Sequence, residues 1–101
     1  MVEVEFYRDK DGAACARGED QRLATFLETD LQESVQVTKD LIALLADGKE
    51  PGEFNGNGHC VTITPKTATI ESSFDEEAPD RRLERKVFLK AVRKWLKFIE
   101  S

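Results

Sequence analysis

The spacing of apolar side chains changes period along the chain, and each change marks an element. In "VEVEFYR" (Val2 to Arg8) apolar and polar residues alternate, with Val2, Val4 and Phe6 on one face, the period of a half-buried strand. "DKDG" (Asp9 to Gly12) is turn chemistry, and Gly12 accepts the positive φ of a tight hairpin. "AACAR" reads as the returning strand, so residues 2–17 form a predicted hairpin. Cys15, inside that strand, is expected to act as a small buried hydrophobe.

From Glu19 the period becomes helical: Leu23, Phe26, Leu27, Leu31, Val35, Thr38, Leu41, Ile42 and Leu45 recur on one stripe. The spacing predicts a short helix over 20–28 and a longer one over 30–46, separate or joined through a kink. "TDLQ" has the form of a capping box, with Thr29 as N-cap and Gln32 reaching back. Gly48 stands where a left-handed helix cap favours glycine. "DGKEPGEFNGNG" then reads as a polar loop.

Alternation returns in "HCVTITP", where Cys60 and Ile63 are set out of phase with Val61. Strands over His59–Thr64 and Ala68–Phe74 flank the tight turn "PKT", and Pro65 ends the first because it cannot donate to a ladder. "DEEAPD" breaks the pattern, and residues 81–83 read as a short edge strand. Phe88, Val92, Trp95, Leu96 and Ile99 make the apolar stripe of a last helix, with Leu89 at its margin. Trp95 is expected to anchor that helix, facing Phe6, Val61, Ile63 and Ile70. The order ββ-α(α)-ββ-α predicts one α+β domain over residues 1–101, two β-hairpins forming an antiparallel sheet packed with two or three helices.

Composition narrows the class. A chain of 101 residues, 40% hydrophobic and 35% charged, can bury a core without disulfide or metal staples. Its two cysteines are too few for a disulfide scaffold. No apolar run approaches the ~20 residues that span a bilayer. The first residues carry acids where a secretion signal carries bases. A cytoplasmic monomer without membrane contact is the expectation. The net charge is −5, unevenly placed: from Arg81 onward eight cations face only Glu84 and Glu100, a net of +6, which leaves −11 for the rest. An acidic body attracts a basic partner and repels nucleic acid. Lys86, Lys90, Arg93, Lys94 and Lys97 cover the far side of the last helix, expected to lie against the domain's own acids or to face water.

Candidate chemistry is thin. "FNGNGHC" holds the single histidine, His59, beside Cys60. Neighbours on a strand point to opposite faces, so they neither chelate one ion nor form a nucleophile–base pair. A phosphate cradle needs a glycine loop that leads into a helix, and this one leads into a strand. Gly56 and Gly58 are therefore expected to shape a lead-in loop, His59 to start the strand and Cys60 to pack. Acid pairs such as Glu28/Asp30 read as a solvated face, with no histidine to organise them. The expectation is a non-enzyme with no catalytic residue, metal or cofactor.

"VEFYRDKDGAACAR", "FLETDLQESV" and "FNGNGHCVTITPKTATIESSFDEE", followed by a helix ending "WLKFIE", resemble the YacL-like small bacterial proteins. That group takes in immunity proteins of contact-dependent growth inhibition and other polymorphic toxin systems. The strongly basic last helix departs from the family pattern. The resemblance implies a cytoplasmic immunity protein that holds a cognate toxin domain inactive. That domain is the C-terminal part of a large secreted toxin, and a nuclease is expected, its basic cleft covered by acids. The acids expected to make this surface are Asp9 and Asp11 in the first turn, Glu28, Asp30 and Glu33 near the long helix start, and Asp75, Glu76 and Glu77 before the last helix. The alternative is a non-catalytic housekeeping member of the same family with another partner.

Overall fold

A computed structural model describes residues 4–46, 50–72 and 80–100. Strands β1 (Val4–Arg8) and β2 (Ala14–Gly18) pair antiparallel, with Phe6 opposite Ala16 and Tyr7 opposite Cys15. Asp9 builds the connecting turn: its Oδ1 accepts the backbone N–H of Asp11 at 2.8 Å and of Ala13 at 3.0 Å. Gly12 takes φ 84° there, a conformation open to glycine and strained for other residues.

Helix α1 (Gln21–Phe26) starts on Asp20, whose Oδ1 accepts the N–H of Leu23. It runs straight into a π-helical turn over Leu27–Leu31, closed by Gln32 N–H on the Leu27 carbonyl at 2.9 Å. Helix α2 spans Val35–Ala46. The expected capping box at Thr29 is corrected here. Thr29 lies inside the π turn, and the Gln32 amide reaches back to the Thr29 carbonyl at 2.8 Å instead of an N–H. Ser34 caps α2, its Oγ accepting from Val37 N at 3.2 Å. The chain reverses between the helices at Gln32, with φ 51°. Gly48 lies outside the described residues.

The second sheet is an antiparallel meander in the order β3 (Gly52–Asn55), β4 (His59–Ile63), β5 (Thr67–Ser72), β6 (Arg81–Glu84). The fold is α+β, with two differences from the expected layout. The "polar loop" contains β3, and the first hairpin forms a sheet of its own among the described residues. In β4 the expected phase is also corrected: His59, Val61 and Ile63 are buried together, while Cys60 and Thr62 face the other side, as a period of two requires. The expected end of β5 at Phe74 falls outside the described residues.

Helix α3 (Arg85–Glu100) follows β6 without a linker. Phe88, Val92 and Trp95 are completely buried on its inner face. Phe88 meets Phe26 with ring centroids 5.8 Å apart, and Phe26 meets Phe54 of β3 edge-on at 5.9 Å. Trp95 packs edge-on against Phe6 at 5.1 Å and beside Phe98, and its Nε1–H donates to the Gln32 carbonyl at 2.8 Å. The single indole thus joins the first hairpin, the helix reversal and α3.

Arg85 is the unexpected member of the core. Only 5% of it is exposed, and its guanidinium donates to four backbone carbonyls. Nε reaches Leu45 at 3.0 Å, Nη2 reaches Leu44 at 2.9 Å, and Nη1 reaches Glu50 at 2.8 Å and Thr64 at 3.0 Å. Leu44 and Leu45 lie in the last turn of α2, where carbonyls lack helical partners and the dipole favours a cation. Replacing Arg85 with Met keeps bulk but strands these carbonyls. We expect a loss of about 3 kcal/mol or more in urea unfolding, with Arg85→Lys restoring little, because an ammonium cannot reproduce the planar fork. An unfolding midpoint that Arg85→Met leaves unchanged would show the contacts to be incidental.

Candidate functional site

The glycine loop before β4 is organised by an acid from the helical region. The π turn carries Asp30 inward until its carboxylate is fully buried. Oδ2 accepts the backbone N–H of Gly58 at 3.2 Å and of His59 at 2.9 Å. Oδ1 accepts the Thr29 hydroxyl at 2.8 Å and sits 2.9 Å from His59 Nδ1. Four donors around one carboxylate offset the cost of removing it from water. Space also fixes Gly56: a Cβ there would run into Asp30 Oδ2 and lie 2.8 Å from its Cγ.

His59 is buried as well, with 6% exposed. Its Nε2 lies 3.4 Å from Arg22 Nη1. A guanidinium only donates, so Nε2 is the acceptor and Nδ1 carries the proton given to Asp30. Phe26 stands edge-on to the ring at 6.0 Å. An Asp–His pair is the orienting half of many nucleophilic sites. Here both ring nitrogens are engaged, and the pair fastens the Asn55–His59 loop to the π turn. One expectation is corrected by this geometry: Asp30 belongs to no solvated face. His59 opens β4 as expected and also ties that strand to the π turn.

The other expected acids divide. The Asp9 and Glu28 carboxylates both lie beside the Cys15 thiol, Asp9 Oδ2 at 3.9 Å from Sγ. Glu33 pairs with Arg8 at 3.0 Å on the same end of the first hairpin. Asp11 is exposed in the turn next to Asp9. The structure therefore brings Asp9, Asp11, Glu28 and Glu33 to the outer end of β1–β2, with Arg8 neutralising Glu33, and turns Asp30 into the core. Asp75, Glu76 and Glu77 lie outside the described residues.

Neither cysteine is activated. Burial pushes the Cys15 thiol up, helped by Glu28 and Asp9. Burial, with Glu53 and Glu71 nearby, pushes Cys60 up as well. Among the described residues no group of three or more His, Cys, Asp or Glu is placed to hold a metal ion. No helix of the described residues is long and apolar enough to cross a membrane. The groups that sequence reasoning missed, Arg85 and the Asp30–His59 pair, carried a faint signal: Arg85 and Asp30 sit in phase with the apolar stripes of their own segments.

Two outcomes follow from this geometry. Gly56→Ala is expected to destabilise the protein by about 1–3 kcal/mol in urea unfolding. That cost should shrink in an Asp30→Gly background, since the clashing Cβ and carboxylate are both gone; strictly additive costs would show that Asp30 is not what fixes the glycine. Alkylation by iodoacetamide reads the thiols. A raised pKa lowers the thiolate fraction, so both cysteines should react more slowly than free cysteine at mildly alkaline pH and catch up only as pH rises further. A fast-reacting thiol at neutral pH would contradict the assigned surroundings.

No protein-family model matches the chain, and no match to a curated protein or to a solved structure is found.

Proposed function

We propose that this chain is an immunity protein of the YacL-like kind, a non-catalytic binder that neutralises a cognate toxin domain in the cytoplasm of the producing cell. The observation that carries this reading is the gathering of Asp9, Asp11 and Glu28 at one end of the first hairpin, in a turn braced by the Asp9 carboxylate and on the π turn beside it. Carboxylates presented on a fixed scaffold need no ordering when a basic surface arrives. They also steer its approach, so association is fast at low salt. The toxin is a nuclease domain at the C-terminus of a large secreted protein, whose basic substrate cleft is the complementary surface. Asp75, Glu76 and Glu77 extend the same acidic character in sequence. The housekeeping alternative, with an unrelated partner, requires no affinity for such a domain.

The test is binding kinetics against the C-terminal domain of a large secreted toxin encoded beside this gene, from low to high salt. Asp11→Asn with Glu28→Gln removes two acids and leaves Asp9 to build its turn. Association should slow by about three- to tenfold at low salt, with the difference fading as the screening length falls to about 8 Å near 0.15 M. A companion variant neutralising Asp75, Glu76 and Glu77 should act in the same direction. An association rate indifferent to salt, with full protection of cells by both variants, would place the interface elsewhere. Absence of any binding would remove the reading.

A further inference from the structure

The side of the molecule formed by α3 carries charge of the opposite sign and a groove to go with it. Between α3, the β4–β5 turn and the end of α2 lies a depression of about 710 Å³. Leu45, Ala46, Pro65 and Leu89 line it, with the cations Lys66, Lys86 and Arg93 and a single acid, Glu84, also in its wall. Beyond it the same positive charge runs on along the open face of α3, where Lys90, Lys94 and Lys97 follow Lys86 and Arg93. The cations are unspent. Among the described residues, Lys66, Lys90, Arg93, Lys94 and Lys97 make no ion pair, and Lys86 reaches only Glu84, at 3.8 Å with both side chains mostly exposed. A pair of that kind contributes little. The Arg85 guanidinium below the groove is fully committed to carbonyls. Those carbonyls are neutral, so its positive charge adds to the sign of the groove.

We propose that this groove is a docking site for an acidic peptide segment of a partner protein, with an apolar side chain seated against Leu45, Pro65 and Leu89 and carboxylates set against Lys86, Lys90 and Arg93. Charge complementarity selects an anion, and the apolar lining selects among anions. A nucleic acid would want aromatic platforms for its bases. The aromatic side chains of α3, Phe88, Trp95 and Phe98, are directed into the core. A membrane surface or a long polyanion would also bring its charge against the acidic remainder of the chain, which a short peptide avoids. The dimensions agree. From Lys86 to Lys97 the helix rises roughly 16 Å, the reach of about five residues of extended chain. The proposal does not depend on the toxin reading, because it uses a different surface and a different sign of charge.

Fluorescence anisotropy with four probes tests it. The first is a labelled peptide of Asp and Glu around a central Leu–Phe pair. The second has that pair replaced by Ser–Ser. The third is a single-stranded oligonucleotide, and the fourth a labelled phosphatidylserine-containing vesicle. The first peptide should bind saturably, and the serine peptide about tenfold more weakly. Lys86→Glu with Arg93→Glu should weaken the first peptide by about tenfold or more. Both side chains are exposed, and a thermal melt checks that the double variant is folded. Lys10→Glu with Lys39→Glu changes the net charge by the same amount away from the groove, and should weaken binding far less. Equal binding of both peptides, tighter binding of the oligonucleotide or the vesicle, equal effects of the two reversals, or no saturable binding of the first peptide would each overturn the proposal.

Discussion

A single buried cation holds the layers of this protein together. Arg85 stands where β6 becomes α3, and its guanidinium collects carbonyls from the last turn of α2, from the approach to β3 and from the end of β4. A helix end abutting a sheet leaves carbonyls that neither element can satisfy. A planar fork with five donors answers several of them at once. Among the described residues no carboxylate takes part, and the field of the α2 C-terminus and of peptide dipoles favours the cation. The end of α2 is thereby fastened to the start of α3, beside the groove at Leu89.

Asp30 is its counterpart of opposite sign. It satisfies N–H groups of the glycine loop as Arg85 satisfies carbonyls, and it too works at a place where helix and sheet meet. The π turn exists in register with this contact. The turn buries Leu27, Asp30 and Leu31 together on one face, the i, i+3, i+4 spacing of a helical stripe. Such turns recur where a side chain must be delivered to a fixed point. Gln32, left with a positive φ at the exit, then presents its carbonyl to Trp95. The loop, the reversal and the last helix are therefore tied through a short chain of contacts, and His59 is one link of it.

How much of this the sequence carried depends on the kind of signal. Long periodic segments were legible: the first hairpin, the body and end of α2, α3, β4 and the short edge strand at Arg81–Glu84 all stand close to where the spacing put them. Strand β3 was not, because "GEFN" is four residues with one large apolar side chain and turn-forming neighbours. It is a strand because β4 supplies the ladder, with Phe54 opposite Val61, and that is tertiary information. The cap was misplaced for a related reason. Thr29 and Gln32 have the right spacing, but the burial of Asp30 overrides the local preference and moves the start of α2 to Ser34. The Asp30–His59 contact joins residues 29 positions apart, and no local pattern encodes it.

Formal charge proved the least direct of the sequence signals, since it counts groups that the fold has already used. Asp20 caps α1 and pairs with Arg81 at 3.0 Å. Asp30 is sealed inside, Glu33 is matched by Arg8, and Arg85 is buried among carbonyls. Both the acidic body and the basic last segment are weaker at the surface than the sums of −11 and +6 suggest. What is left is more local. Asp11 and Glu28 remain at the outer end of the first hairpin without an ion-pair partner among the described residues, and the lysines with Arg93 remain along α3. Charges used in the architecture are fixed in place, and those paired with an opposite charge largely cancel. The exposed ones act over a screening length of about 8 Å at physiological salt. A small domain arranged in this way presents patches of opposite sign, on the same core that Arg85 and Asp30 pin.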